Sequence, residues 1–146
     1  MGDLSKNFNA SEFACKCGCG FCSPASKLVQ TLQIIRDKCG VALTVESGCR
    51  CTQHNKNVGG VAGLAANIKK GYPGDRTASA HTRGEAADFR VSGIAKAKLY
   101  DLLVAMHKNK ELPWLTYVYK ISGSANNVHM GVDDFTKRST PYGGDG

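Results

Sequence analysis

The sequence has no apolar run of the length needed to cross a membrane, so we expect no transmembrane segment. The N-terminal residues, MGDLSKNFNASEF, lack the basic region and apolar core of a secretory signal peptide, and we expect none. Hydrophobic residues make up 42% of the 146 residues, which is typical of a globular protein and argues against a wholly disordered chain. We therefore expect residues 1–146 to form one domain that is made in the cytoplasm and leaves it, if at all, by a route other than secretion.

The sequence also lacks a basic helix and a basic stripe interleaved with aromatic residues, although its net charge is +7. The positive charges are scattered along the chain, as at Lys96, Lys98, Lys108 and Lys110. A basic surface favours polyanions, which include nucleic acid, anionic lipid and an anionic cell wall. Because the usual patterns of nucleic-acid and membrane binding are missing, we expect neither of these partners. We also expect the protein to be a monomer.

Two segments have the spacing of helices. SPASKLVQTLQIIRDKCG predicts a helix with Ser23 as N-cap, Pro24 at its first position and Gly40 as its stop. The second, IAKAKLYDLLVAMHK, predicts a helix over residues 94–108. Its predicted buried face consists of Ile94, Leu99, Leu102, Leu103 and Met106.

Four segments have the character of strands, over residues 41–47, 86–91, 117–121 and 128–132. The last two are joined by the turn-rich GSANN and predict a hairpin. The pattern favours an α+β fold, an antiparallel sheet with helices packed on one face. We expect a long inserted loop over residues 59–78 and a frayed C-terminal tail, PYGGDG.

The stretch SAHTRGEAADF, Ser79 to Phe89, holds His81 and Asp88 with small residues between them. Imidazole and carboxylate are both zinc ligands, and catalytic zinc takes three protein ligands and keeps a fourth position open. His129, in a later predicted strand, is the candidate third ligand, since a sheet could bring it beside Asp88. On spacing alone the simpler interpretation is that the three residues are unrelated, because this is not one of the short helical zinc motifs.

SAHTRGEAADF resembles the Ser-x-His-x-x-Gly-x-Ala-x-Asp signature of the zinc D-Ala-D-Ala metallopeptidases. This family includes D-alanyl-D-alanine carboxypeptidases, dipeptidases and phage L-alanyl-D-glutamate endolysins, and the hedgehog signalling domain shares its fold. VESGCRCTQHNKNVGG resembles the family's Ser-Gly-Tyr-Arg segment, NFNASEFACKCGCG resembles the opening of a branch often found in phages, and NNVHMGV resembles the strand with the last metal histidine. The resemblance runs in order from about Asn7 to Val132.

The resemblance implies a role for each matching residue. His81, Asp88 and His129 would hold a catalytic Zn²⁺ ion whose bound water attacks a peptide carbonyl. Arg50 would stabilise the developing oxyanion or hold a substrate carboxylate, and Ser79 would bind substrate or orient His81. Without the resemblance, a surface salt bridge is the simpler interpretation of Arg50.

The sequence departs from the family pattern in three places. An insertion separates Gly60 from Ser79, Cys49 replaces the usual tyrosine, and Asn126 replaces a carboxylate that many relatives place three residues before the last histidine. An amide cannot accept the proton of the attacking water, so catalysis needs another base. The candidates that we consider are Glu85, Asp133 and Asp75.

The chain has seven cysteines, so at least one lies outside any intramolecular disulfide. Most fall in a Cys-rich N-terminal loop, residues 12–23, or beside Arg50. They could form a second, structural zinc site, disulfides or reduced thiols, and the loop could be tied to the wall of the active site through sulfur. We expect a structural rather than a nucleophilic role. The cysteines are Cys15, Cys17, Cys19, Cys22, Cys39, Cys49 and Cys51.

The leading functional prediction is a zinc peptidase that cleaves peptidoglycan stem peptides, of the carboxypeptidase or the endopeptidase type. It would be phage-encoded and would act on the wall after lysis or as part of a virus particle. The alternative is a non-catalytic wall-binding or virion structural module that keeps the fold and the zinc, which Asn126 favours. The third alternative is a hedgehog-like protein-binding domain with structural zinc.

Overall fold

The computed structural model describes residues 2, 4–18, 24–50, 81, 84–132 and 142–143. Within these residues, a five-stranded sheet forms the centre of the protein. The strands lie in the order β1, β2, β4, β3, β5, and the first four are antiparallel. β5 pairs with β3 in parallel. The strands are β1 (Leu43–Ser47), β2 (Ala86–Val91), β3 (Tyr117–Lys120), β4 (Val128–Gly131) and β5 (Tyr142–Gly143).

Two helices, α1 (Ser26–Cys39) and α2 (Lys96–Lys108), pack against the sheet. A short 3₁₀ helix, Ala10–Phe13, precedes them and contacts β1. The α+β fold that the sequence predicts, with an antiparallel sheet and helices, is confirmed. The 3₁₀ helix takes up the start of the predicted Cys-rich loop, residues 12–23; residues 19–23 of that loop and the inserted loop 59–78 lie outside the described residues.

Helix α1 ends where the sequence predicts, but it begins later than predicted. Gly40 ends the helix in the left-handed conformation, with φ of 71°. At the other end, Ala25 is the N-cap and is extended, so the helix begins after the predicted Pro24. The reason is a tertiary contact, because the Ala25 N–H donates to the Gly84 carbonyl at 2.8 Å and holds the backbone away from helical geometry.

Period-two alternation divides the sheet into two faces. On β2, Ala87, Phe89 and Val91 belong to the hydrophobic core that the helices cover. Their neighbours Asp88 and Arg90 point to the opposite face. Residues from β4 continue the same core, because Ala87 pairs with Met130 and Phe89 with Val128. The sheet therefore has one apolar face under the helices and one face that is available for polar chemistry.

The predicted buried face of α2 is largely confirmed. Leu99, Leu103 and Met106 are buried, while Ile94 and Leu102 are half-buried and pack against the core. Lys96 is an addition that the hydrophobic pattern did not predict. Its buried side chain donates from Nζ to the Ile121 carbonyl at 2.8 Å, which ties α2 to the β3–β4 connection.

The prediction of a frayed tail is wrong at Tyr142 and Gly143. These residues form β5, and the Tyr142 hydroxyl lies 2.7 Å from His107 Nδ1 on α2. A side-chain contact with a helix thus orders a segment whose composition is typical of a loose end. Among the described residues, no helix combines the length and apolar character of a membrane span.

We expect Leu103→Ala to destabilise the protein by about 2–5 kcal/mol, because it removes a fully buried side chain and leaves a cavity. Urea unfolding followed by circular dichroism would measure this. Lys98 on the same helix is exposed, so Lys98→Ala should change the free energy of unfolding by less than about 0.5 kcal/mol. Equal effects of the two substitutions would contradict the assignment of the buried face.

Candidate metal centre

Asp88 and His129 meet across the pairing of β2 with β4. They are direct partners in the antiparallel register, so their side chains leave the sheet side by side on the polar face. His129 Nδ1 lies 2.6 Å from Asp88 Oδ1. The register therefore brings together two residues that are far apart in sequence.

His81 reaches the same point from a turn before β2. The Gly84 N–H donates to the His81 carbonyl at 3.3 Å, and Gly84 has a positive φ of 70° that favours glycine. The turn places His81 Nε2 3.4 Å from Asp88 Oδ1, with the histidine almost fully buried. Gly84 therefore closes a turn that brings His81 beside Asp88.

One ligand atom from each of His81, Asp88 and His129 lies within 4.8 Å of the other two. Two imidazole nitrogens and one carboxylate oxygen are a donor set that suits zinc. Each imidazole also has a partner on its other nitrogen: His81 Nδ1 is 2.7 Å from the Gly48 carbonyl, and His129 Nε2 is 3.2 Å from the Tyr117 hydroxyl. Such partners fix the tautomer and the ring direction of metal-binding histidines, so the site fits a metal ion.

Two tyrosines of β3 flank His129. Tyr119 is its direct partner on the neighbouring strand, and the two rings stack at 4.5 Å between centroids. Tyr117 stacks at 5.4 Å and supplies the hydroxyl at Nε2. A Cβ atom at Gly131 would lie 2.2 Å from Tyr117 Cε1, so the glycine leaves the space that this ring occupies. Stacking and hydrogen bonding together hold the imidazole of His129 in one orientation.

The segment from Gly48 to Arg50 holds His81 from the other side. The Gly48 carbonyl accepts from the His81 ring, and the Arg50 N–H donates to the His81 carbonyl at 3.0 Å. The Cys49 N–H donates to the Phe13 carbonyl at 2.8 Å. A Cβ atom at Gly48 would lie 2.9 Å from Phe13 Cα, which explains the small residue at this position. The 3₁₀ helix is thus packed directly against the wall of the site.

The Arg50 side chain contacts the outer oxygen of Asp88. Its Nη2 donates to Asp88 Oδ2 at 3.1 Å, and its Nε donates to the Ser47 hydroxyl at 3.0 Å. The ion pair is largely withdrawn from solvent, with side-chain exposures of 14% for Arg50 and 15% for Asp88. The two oxygens of Asp88 therefore have different partners, the imidazoles at Oδ1 and the guanidinium at Oδ2.

The ionisation of Asp88 follows from opposing influences. Burial is the largest single influence and raises the pKa of the carboxyl. The hydrogen bonds and charges of His129 and His81 act in the opposite direction and together outweigh burial, so the pKa of Asp88 lies well below its usual range. The carboxylate is charged at neutral pH, which is the form that binds a cation.

The structure brings together four of the residues predicted from sequence, His81, Asp88, His129 and Arg50. Ser79 lies outside the described residues, and its predicted role in substrate binding stays a prediction. Tyr117 and Tyr119, which contact His129, were not predicted from the sequence. The available signal was period-two spacing in the predicted hairpin: residues of one face recur at every second position, so the tyrosines could share a face with His129.

The chain was compared with known proteins in three ways. A family model described as Peptidase M15 matches residues 6–130. The matched range includes Arg50, His81, Asp88 and His129. Searches of curated proteins and of solved structures gave no match.

We expect Tyr117→Phe to weaken zinc binding by about 10-fold, because it removes the hydroxyl that holds His129 and keeps the stacked ring. Competition with a chromophoric chelator would measure the affinity. Tyr100→Phe on α2 is the matched control and should leave the affinity unchanged. An unchanged affinity in Tyr117→Phe would show that the hydroxyl does not orient the histidine.

Proposed function

The chain belongs to the Peptidase M15 family of metallopeptidases, and on this basis we propose that it is a zinc peptidase that cleaves peptidoglycan stem peptides. The observation that carries the proposal is the convergence of His81, Asp88 and His129, with each imidazole oriented by a second partner. The net charge of +7 supports a substrate within an anionic wall.

Zinc held by these three residues would supply Lewis acidity toward a peptide carbonyl and would activate water at neutral pH. The protein's contribution is to keep the three ligand atoms within 4.8 Å of one another before the metal arrives. Buried hydrogen bonds to Gly48 and Tyr117 hold the two rings, and the sheet register holds Asp88.

Arg50 has a positioning role in this proposal besides the substrate contact that the family resemblance implies. Its bond to Asp88 Oδ2 turns the other carboxylate oxygen, Oδ1, toward the imidazoles. A guanidinium stays charged at any pH the protein meets and carries five N–H donors in a rigid fork. The same group could therefore hold Asp88 and also meet an oxyanion or a substrate carboxylate.

The described residues bear on one of the three candidate bases. Glu85 Oε2 lies 4.0 Å from Lys27 Nζ on α1. Because side chains alternate along the chain, Glu85 shares a face with Ala87, which lies on the helix-covered side of the sheet. Asp88 lies on the opposite face. This orientation argues against Glu85. We therefore propose Asp133 or Asp75 as the base; both lie outside the described residues.

Asn126 is the observation that favours a second function. It is exposed in the β3–β4 connection, and it replaces a carboxylate that is usual in many family members. A chain with the metal ligands and no working base would bind wall peptides without cleaving them. The wall-binding module therefore remains the alternative to the enzyme.

The enzyme proposal predicts that the wild-type protein with zinc shortens purified stem peptides, as followed by mass spectrometry. Loss of a terminal alanine would identify a carboxypeptidase, and a cut within the stem would identify an endopeptidase. His129→Ala should abolish cleavage and lose one equivalent of zinc, because it removes a ligand. His107→Gln, a histidine substitution on α2, should keep both.

If the wild type binds zinc and sediments with isolated walls but cleaves no stem peptide, the enzyme proposal fails and the binding module replaces it. If His129→Ala keeps full zinc content and full cleavage, the proposed metal centre itself is wrong.

We expect either Asp133→Asn or Asp75→Asn to lower the cleavage rate by about 10²-fold or more at constant zinc occupancy, because general-base catalysis contributes on that scale. Glu85→Gln is the comparison variant and should stay close to the wild-type rate. A large loss in Glu85→Gln alone would overturn the assignment drawn from its contact with Lys27.

A further inference from the structure

A second arginine, Arg90, lies on the same face of the sheet as the candidate metal centre. It follows Asp88 by two residues on β2, so alternation places both side chains on the polar face. Arg90 Nε donates to Glu46 Oε1 on β1 at 2.8 Å. The side chains of Arg90 and Glu46 are each 41% exposed. The pair is therefore accessible to a ligand that lies along this face.

A bulge in β1 orients Arg90 and Arg50 in the same way. The register of β1 against β2 shifts between Val45 and Ser47, so Glu46 is the extra residue of the bulge. The Ser47 hydroxyl accepts from Arg50 Nε at 3.0 Å. The next residue back, Glu46, accepts from Arg90 Nε. Two consecutive residues of the bulge thus hold two guanidinium groups by the same nitrogen, and bulges often redirect side chains beside active sites.

The terminal nitrogens distinguish the two arginines. Arg50 Nη2 donates to Asp88 Oδ2 at 3.1 Å. In the part of the chain that the structure describes, Arg90 makes its hydrogen bond and ion pair through Nε, and its two Nη atoms have no partner. These atoms carry four N–H donors in a plane that Glu46 fixes. A planar guanidinium held in this way matches the two oxygens of a carboxylate.

The described residues occupy three sides of the metal centre. The Tyr117 ring covers the end of the polar face at which β2 begins, and His81 enters at the same end. The segment 48–50 lies on the β1 side. Tyr119 lies on the β3 side. Among the described residues, the direction that remains leads along β2 toward Arg90, so a peptide bound at the metal would extend over this side chain.

The spacing along β2 sets the part of the ligand that Arg90 meets. Two residues of strand, from Asp88 to Arg90, span about 6.6 Å at about 3.3 Å per residue. An extended peptide advances by about 3.3–3.6 Å per residue. The guanidinium therefore lies at the level of a ligand residue one or two positions from the peptide bond that the metal would polarise.

We propose that Arg90 is a specificity-determining residue that binds a carboxylate of the peptide substrate, one or two residues from the scissile bond. This inference rests on the proposed function of the metal centre. In a stem peptide whose D-glutamate is joined through its side chain, the free α-carboxylate is a group of this kind. Arg90 takes no part in bond breaking, and its contribution is to bind the substrate in one register.

Two synthetic stem pentapeptides test the proposal, one with the free α-carboxylate on D-glutamate and one with this group as an amide. We expect the zinc-loaded wild type to have a KM for the free acid that is lower by about 10-fold or more, with a similar kcat, because only the carboxylate accepts charge-assisted hydrogen bonds. Arg90→Gln should have the same, weaker KM for both peptides. Arg90→Lys keeps the charge without the fork and should retain part of the preference. Lys98→Gln, at an exposed position of α2, is the matched control and should keep all of it.

Calorimetric dissociation constants of the same two peptides make the test independent of cleavage. If the wild type cleaves neither peptide but binds the free acid more tightly, and Arg90→Gln does not, the enzyme proposal fails and the role of Arg90 stands. If the wild type cleaves or binds both peptides equally well, or binds neither, the role of Arg90 is wrong. It is also wrong if Arg90→Gln keeps the preference. A loss of zinc from Arg90→Gln would overturn it as well, because the pair with Glu46 would then support the metal centre rather than the substrate.

Discussion

The pairing of β2 with β4 in one register is the constraint on which the site depends. It places Asp88 opposite His129 on the polar face and Ala87 and Phe89 on the face that the helices cover. Because side chains alternate along a strand, a slip by one residue would bury Asp88 in the core and move Phe89 into the metal centre. The cost of burying the charge and exposing the ring protects the register, so the hydrophobic core also enforces the geometry of the candidate metal ligands.

The other contacts refine what the register provides. Arg50 holds the outer oxygen of Asp88, Gly48 holds one imidazole, and Tyr117 holds the other. Two glycines give room for these contacts, since side chains at Gly48 and Gly131 would collide with Phe13 and Tyr117. The candidate metal centre is therefore built from polar groups that are oriented by packing, and a metal ion would need little reorganisation of these groups to bind there.

Much of the fold and of the candidate site could be predicted from the sequence. The strand over residues 86–91 and the hairpin were predictable, because alternation is a local pattern. The grouping of His81, Asp88 and His129 was predictable only from the resemblance to a family signature, since their spacing alone favours unrelated residues. The start of α1 and the strand at Tyr142 were not predictable. Both depend on contacts between distant segments, Ala25 with Gly84 and Tyr142 with His107, which leave no local signal. The pairing of Arg50 with Asp88 was not predictable for the same reason, since the two residues lie 38 positions apart in the chain.

Anomalous diffraction from a crystal of the zinc-bound protein, recorded on both sides of the zinc absorption edge, tests the central claim most directly. We predict a zinc peak bonded to His81 Nε2, an oxygen of Asp88 and His129 Nδ1, with His129 Nε2 still on the Tyr117 hydroxyl. A fully occupied zinc site that excludes any of these three residues, or that is bonded to His129 through Nε2, would contradict it.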